Sequence, residues 1–316
     1  MNDRPISVTA PLGPAWERTR AALFAPFDLG RWLVLGFAAW LAGLAGGGYN
    51  LRIPVGGGDW GGGETWREGV EGAEGAAREA WSTLASAGCL VLVAVLAILV
   101  VALLLTALWA SSRGRFVFLD NVVTGRAAIV EPWKRWRRQG NSLFLFRLLF
   151  GLGLVGVVGL LVLGTVVAVG GLAAIQRDGP LVALFAVPLA LVLAATVLLV
   201  IVSSVLVAYL LEGFVVPLMH RYELGVLDGW RRFLVLFRAK PWPYLLSGLL
   251  LMALHIGVGL ALFTAGCLTC CLGFLVLMIP YVGTVVTLPV PYFVRSYTLA
   301  LLAQADPHLL PPRALP

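Results

Sequence analysis

From Pro241 to Val294 the chain runs 54 residues without a Lys, Arg, Asp or Glu. As one helix it would extend about 80 Å at 1.5 Å per residue. The hydrocarbon core of a bilayer is about 30 Å thick. The stretch is therefore too long for one crossing and must fold back. The turn is expected at Ala265–Gly273, where small residues and three cysteines gather.

Four other uncharged stretches are long enough to cross a bilayer: 32–51, 80–112, 148–176 and 179–211. The chain is 60% apolar and 12% charged, with a mean hydropathy of +0.93. Soluble domains carry about 25% charge, so a soluble enzyme, a disordered regulator and a disulfide-rich secreted module are excluded. The expected fold is all-α: a polytopic membrane helical bundle with six transmembrane helices. The first span is the weakest. A cleaved signal peptide is its rival, but 31 residues are long for an n-region.

Charge sets the expected orientation. The termini, loops 111–141 and 212–242, and Arg147, expected to snorkel outward, hold 19 of the 23 Lys and Arg and 9 of the 16 acids. Their net charge is +10, against −3 for residues 49–79 and the 176–179 turn. The positive-inside rule places both termini in the cytoplasm. It also accounts for the high pI without nucleic-acid binding. Only Lys134 and Lys240 are lysines. This Arg bias, with abundant Gly, Ala, Leu and Val, suggests a GC-rich bacterial genome, and the expected location of such a multi-pass protein is the inner membrane.

The two cytoplasmic loops resemble each other. Glu131-Pro-Trp-Lys-Arg-Trp136, followed by Arg137 and Arg138, parallels Asp228-Gly-Trp-Arg-Arg-Phe233, followed by Arg238 and Lys240. Upstream, Arg115-Phe-Val-Phe118 echoes Gly213-Phe-Val-Val216. A weaker third copy starts at Trp16-Glu-Arg-Thr-Arg20. The implied unit is a short cytoplasmic helix plus a two-span hairpin. It is used three times in parallel, over about 11–110, 111–211 and 212–300, in one membrane domain spanning 1–316. Trp230, Phe233, Leu234 and Phe237 recur at helical spacing opposite Arg231, Arg232 and Arg238, with Asp228 as the expected N-cap. Such a helix lies in the membrane interface. Trp133, Lys134, Arg135, Trp136, Arg137, Arg138, Trp230, Arg231, Arg232 and Arg238 are thus depth anchors or contacts for anionic lipid headgroups.

The run Val216–Arg232 resembles the membrane domain that precedes some glycerophosphodiester phosphodiesterases, and that domain's stand-alone relatives of unknown function. Pro217, Glu223, Gly225, Val226 and Trp230 carry the likeness. The catalytic barrel of those enzymes has no counterpart here. The resemblance implies a membrane-domain fold and not the activity.

Other candidates are sparse. Cys267, Cys270 and Cys271 form a Cys-x-x-Cys-Cys group, read first as helix packing, then as a disulfide, last as a metal site. His255 is the one ionisable side chain well inside a span, with no intramembrane carboxylate to partner it. Glu212 and Glu223 are expected to pair in solvent near Arg221. The Gly151, Gly153, Gly156, Gly159 row suits close helix contact, and prolines 180, 188, 280, 289 and 291 predict kinks or early helix ends. Residues 64–84 read as an acidic amphipathic helix after a Gly-rich linker. No catalytic residue, cofactor or metal set is expected. The leading reading is a non-enzymatic membrane protein that binds lipid, organises the membrane or assists a protein partner. The alternative is a small-solute or lipid transporter centred on His255, and an intramembrane hydrolase stands third.

Overall fold

The structure is a computed structural model that describes residues 6–45, 87–175, 180–269 and 272–306. The acidic 64–84 segment, its Gly-rich linker, Cys270 and Cys271 lie outside them. Among the described residues every regular element is helical. In chain order these are α1 (Leu12–Leu23), α2 (Leu29–Gly43), α3 (Ala87–Thr124), α4 (Val130–Arg135), α5 (Arg137–Ile175) and α6 (Pro180–Leu210). A π-helical turn, Leu211–Val215, continues into α7 (Val216–Tyr222). There follow α8 (Val226–Ala239), α9 (Pro241–Leu268), α10 (Leu272–Met278), α11 (Pro280–Val286) and α12 (Pro289–Ala305).

Four helical runs are long and apolar enough to cross a membrane: Leu90–Thr124, Arg137–Val167, Leu191–Tyr222 and Pro241–Leu268. Helix α2 is apolar but has only 15 residues. The uncharged 241–294 stretch breaks after Leu268, inside the expected turn. Its second half is three short helices, with Pro280 and Pro289 each opening one. Proline removes a donor and obstructs the preceding turn, so it begins helices more readily than it continues them.

The chain divides into two compact units, 51–108 and the remainder (1–50 with 109–316). Of the first, the described part is the beginning of α3, whose apolar side chains from Leu90 to Leu104 are exposed. The second unit holds a packed core. The α3 helix has 38 residues, about 57 Å, and its exposure reverses along its length: Ser111–Val122 is mostly buried. The α6–π–α7 run does the same, with Leu210–Met219 buried. Phe116, Val117, Leu119, Phe214, Val215 and Leu218 are fully enclosed with Tyr292, Tyr297 and Leu301 of α12. The loops expected at 111–141 and 212–242 are therefore largely the packed ends of long helices.

Two aromatic stacks recur in this core. Phe116 lies 6.3 Å from Trp136 at an interplanar angle of 20°, and Phe214 lies 5.5 Å from Phe233 at 6°. These are equivalent positions in the two similar sequence segments. The N-terminal segment differs: α1 buries Ala15, Thr19 and Leu23 and leaves Trp16 exposed.

Candidate functional site

The centre of the second unit is an ion pair. Arg115 Nη2 lies 2.5 Å from Glu212 Oε1, and both side chains are almost completely buried. Glu212 was expected in solvent; instead the π-turn carries it inward. Arg295 of α12, also buried, donates to the Glu212 main-chain carbonyl. The reason is local. The Val216 N–H is used by Leu211, and residue 217 is proline, so no N–H follows to serve that carbonyl. Arg147 does not snorkel. Its Nη1 donates to Ser111 Oγ at 3.2 Å and Ser112 Oγ at 3.1 Å, and its Nη2 to the Ala45 carbonyl at 3.4 Å. It senses both Arg115 and Glu212 electrostatically. Glu212 thus meets Arg115 through its carboxylate and Arg295 through its main-chain carbonyl.

A second polar group joins both similar segments. Asp120 Oδ1 accepts from Trp136 Nε1 at 3.0 Å and from His220 Nε2 at 2.9 Å. The Trp136 and His220 rings lie 4.1 Å apart. Sequence reading missed this pair because Asp120 and His220 are one hundred residues apart. The only available signal was polar residues interrupting buried apolar runs.

The ten residues proposed for lipid headgroups separate into two sets. Trp133, Trp136 and Trp230 face protein. Trp133 packs edge-on to Trp109 at 5.7 Å, with Arg113 5.4 Å from its ring centre. Trp230 packs on Phe146 and Phe233. Lys134, Arg135, Arg137, Arg138, Arg231, Arg232 and Arg238 are exposed. Arg135 lies 3.9 Å from Glu223; Arg231 pairs with Asp228 at 3.2 Å; Arg232 lies over the Tyr222 ring at 3.6 Å and reaches Asp306 at 3.4 Å. Asp228 is not the cap of α8. Gly225 holds that place in extended conformation, without a side-chain bond, and Asp228 falls in the first turn. Two bonds tie the start of α5 to the turn before α8: Gln139 Nε2 to the Glu223 carbonyl at 3.2 Å, and the Val226 N–H to Ser142 Oγ at 3.0 Å. The exposed cations therefore share one end of the unit.

His255 is half-buried and bonds through Nδ1 to the Leu251 carbonyl of its own helix at 2.6 Å. Cys267 is a free, exposed thiol. Among the described residues no group of three metal-ligating side chains occurs. The glycine row of α5 does not make the close contacts expected of it: a Cβ at Gly151, Gly153, Gly156 or Gly159 would meet nothing within 4 Å.

Four long apolar helices, two of which continue into a packed and charged end, mark an all-helical membrane protein. The chain belongs to a family of unknown function, DUF7544, whose model matches residues 6–285. No curated protein and no solved structure matches it.

Proposed function

We infer that this is a non-enzymatic, multi-pass membrane protein whose cytoplasmic end binds anionic lipid. The observation that carries this reading is the exposed basic set of α4, α5 and α8, held at one end of the apolar helices by the Gln139 and Ser142 bonds. Each base near an anionic surface contributes about 1 kcal/mol. The protein-packed tryptophans fix the depth and angle of the helices that display the cations. Six crossings arranged as parallel hairpins, with the basic end inside an inner membrane, accord with the charge asymmetry of the sequence. The repeated Phe–Trp and Phe–Phe stacks support a common origin for the middle and last hairpins. The likeness of 216–232 to phosphodiesterase membrane domains fits the same non-catalytic role.

Native mass spectrometry of the detergent-extracted protein tests the reading. Phosphatidylglycerol should remain bound to the wild type. The exposed-cation variant Arg137→Gln/Arg138→Gln/Arg231→Gln/Arg238→Gln should lose it. Equal retention by both proteins overturns lipid binding at this surface.

A further inference from the structure

The guanidinium of Arg113 is held on three sides. It lies 4.3 Å from the centre of the Trp109 ring and 5.4 Å from that of Trp133. Its Nε and Nη2 donate to Asn141 Oδ1 at 3.1 and 3.0 Å, and Trp109 Nε1 donates to the same oxygen at 3.3 Å. All three nitrogens can only donate, so the amide oxygen faces them and Nδ2 faces away. Helices α3 and α5 touch here: a Cβ at Gly140 would lie 2.7 Å from Arg113 Cγ and 3.2 Å from its Cα. Among the described residues Arg113 Nη1 and Asn141 Nδ2 make no hydrogen bond. The cluster thus holds donors in place without using all of them.

A second cation joins it. Arg137 stands one turn before Asn141 on α5, so the two share a face. It acts on Arg113 as a like charge. The ion pairs of the basic surface engage Arg135, Arg231 and Arg232. Among the described residues neither Arg113 nor Arg137 enters an ion pair. Guanidinium groups favour phosphate, which they meet with two parallel donors. The same face of α5 then turns apolar. Leu145 and Leu149 follow Asn141 at four-residue intervals and are 54% and 60% exposed. Trp109 is also exposed, and Trp rings favour the headgroup level of a bilayer. The cluster lies where α5 passes from polar to apolar surroundings.

We propose that Arg113, Arg137 and the Asn141 amide hold the phosphate of one anionic phospholipid, whose acyl chains lie along Leu145 and Leu149. The proposal rests on the lipid reading above and names one seat within it. Arg113 and Asn141 are outside the four arginines changed in that test. The unused groups are all donors, as the acceptor oxygens of a phosphodiester require. The occupant is a lipid because these donors and the exposed leucines follow one another along a single helix.

Native mass spectrometry of the full chain, titrated with phosphatidylglycerol in detergent, reads the site. Arg113→Gln and Arg137→Gln should each weaken the first bound lipid by roughly tenfold. Arg238→Gln, which removes an exposed cation of α8, should cost clearly less. If Arg113→Gln does not fold, Arg137→Gln carries the test, since that exposed side chain has no hydrogen bond to lose among the described residues. Suppose Arg113→Gln binds as the wild type does while the fourfold arginine variant loses its lipid. The seat is then wrong and the basic surface stands. A wild type that retains no lipid overturns both. Equal losses from Arg113→Gln and Arg238→Gln would mean diffuse attraction and overturn the seat. Displacement of the lipid by equimolar inorganic phosphate would assign the cluster to a free anion and overturn the lipid occupant.

Discussion

Arg295 donates to the main-chain carbonyl of Glu212, taking the place of a helix donor that Pro217 cannot supply. One side chain from α12 thereby closes the backbone gap left where the π-turn meets α7. Helix α12 also packs against α1 and the π-turn. A single hydrogen bond thus ties a local irregularity to long-range packing.

Arg295→Leu should leave that carbonyl buried without a partner. A buried unsatisfied acceptor costs about 1–3 kcal/mol. Thermal unfolding of the detergent-solubilised protein should show a clear fall in Tm. An unchanged Tm would mean that the Glu212 carbonyl finds another donor.

Removing one partner of a buried ion pair costs about 3–5 kcal/mol, while replacing both is often nearly neutral. Glu212→Gln should be worse than Arg115→Met, because it leaves the buried Arg115 guanidinium without its carboxylate. The double variant should recover much of the loss. A double-mutant cycle in chemical denaturant measures the coupling, and purely additive losses would contradict the pairing.

Two glycines should respond oppositely to alanine. A Cβ at Gly114 would lie 2.8 Å from the Leu41 carbonyl carbon and the Ala42 nitrogen, both main-chain atoms. Gly114→Ala must push α2 from α3, a strain of about 1–3 kcal/mol. Gly156 has open space, so Gly156→Ala should be neutral or stabilise by up to about 1 kcal/mol through helix propensity. Comparing the two Tm values checks the contact map directly.

Alkaline pH should expose Tyr297. Burial pushes its hydroxyl up to about 12 from an ordinary value of 10.0, and the O–H donates to the Val8 carbonyl at 2.9 Å. The folded state holds this proton more tightly than the unfolded state. The associated stability is fully present below pH 10 and declines as pH rises toward 12, by on the order of 2 kcal/mol. Tyr297→Phe should remove this part of the alkaline decline while lowering stability modestly at neutral pH. Parallel Tm-against-pH curves for the two proteins would rule the effect out.

The basic helix at Trp230 was legible because most of its period survives in the fold: Phe233 is buried, Trp230 and Phe237 are half-buried, and only Leu234 of the expected face is exposed. The break near Ala265–Gly273 was legible because no bilayer accommodates 54 residues in one pass. The helical extensions Ser111–Thr124 and Leu210–Tyr222 were not. Their charges resembled loop charges, yet Arg115, Asp120 and Glu212 have buried partners. Trp136 looked like an interfacial anchor, and only its bond to Asp120 marks it as core.

The sequence by itself determined that the chain is helical and made for a membrane, since apolar length and charge spacing are local properties. It also determined which segments resemble one another. Tertiary structure alone decided which polar residues meet. Pairing Asp120 with His220, Arg115 with Glu212, and Arg295 with the Glu212 carbonyl requires helices far apart in sequence to converge. The cost of burying a charge without a partner fixes those meetings, and no periodicity along a single chain records them.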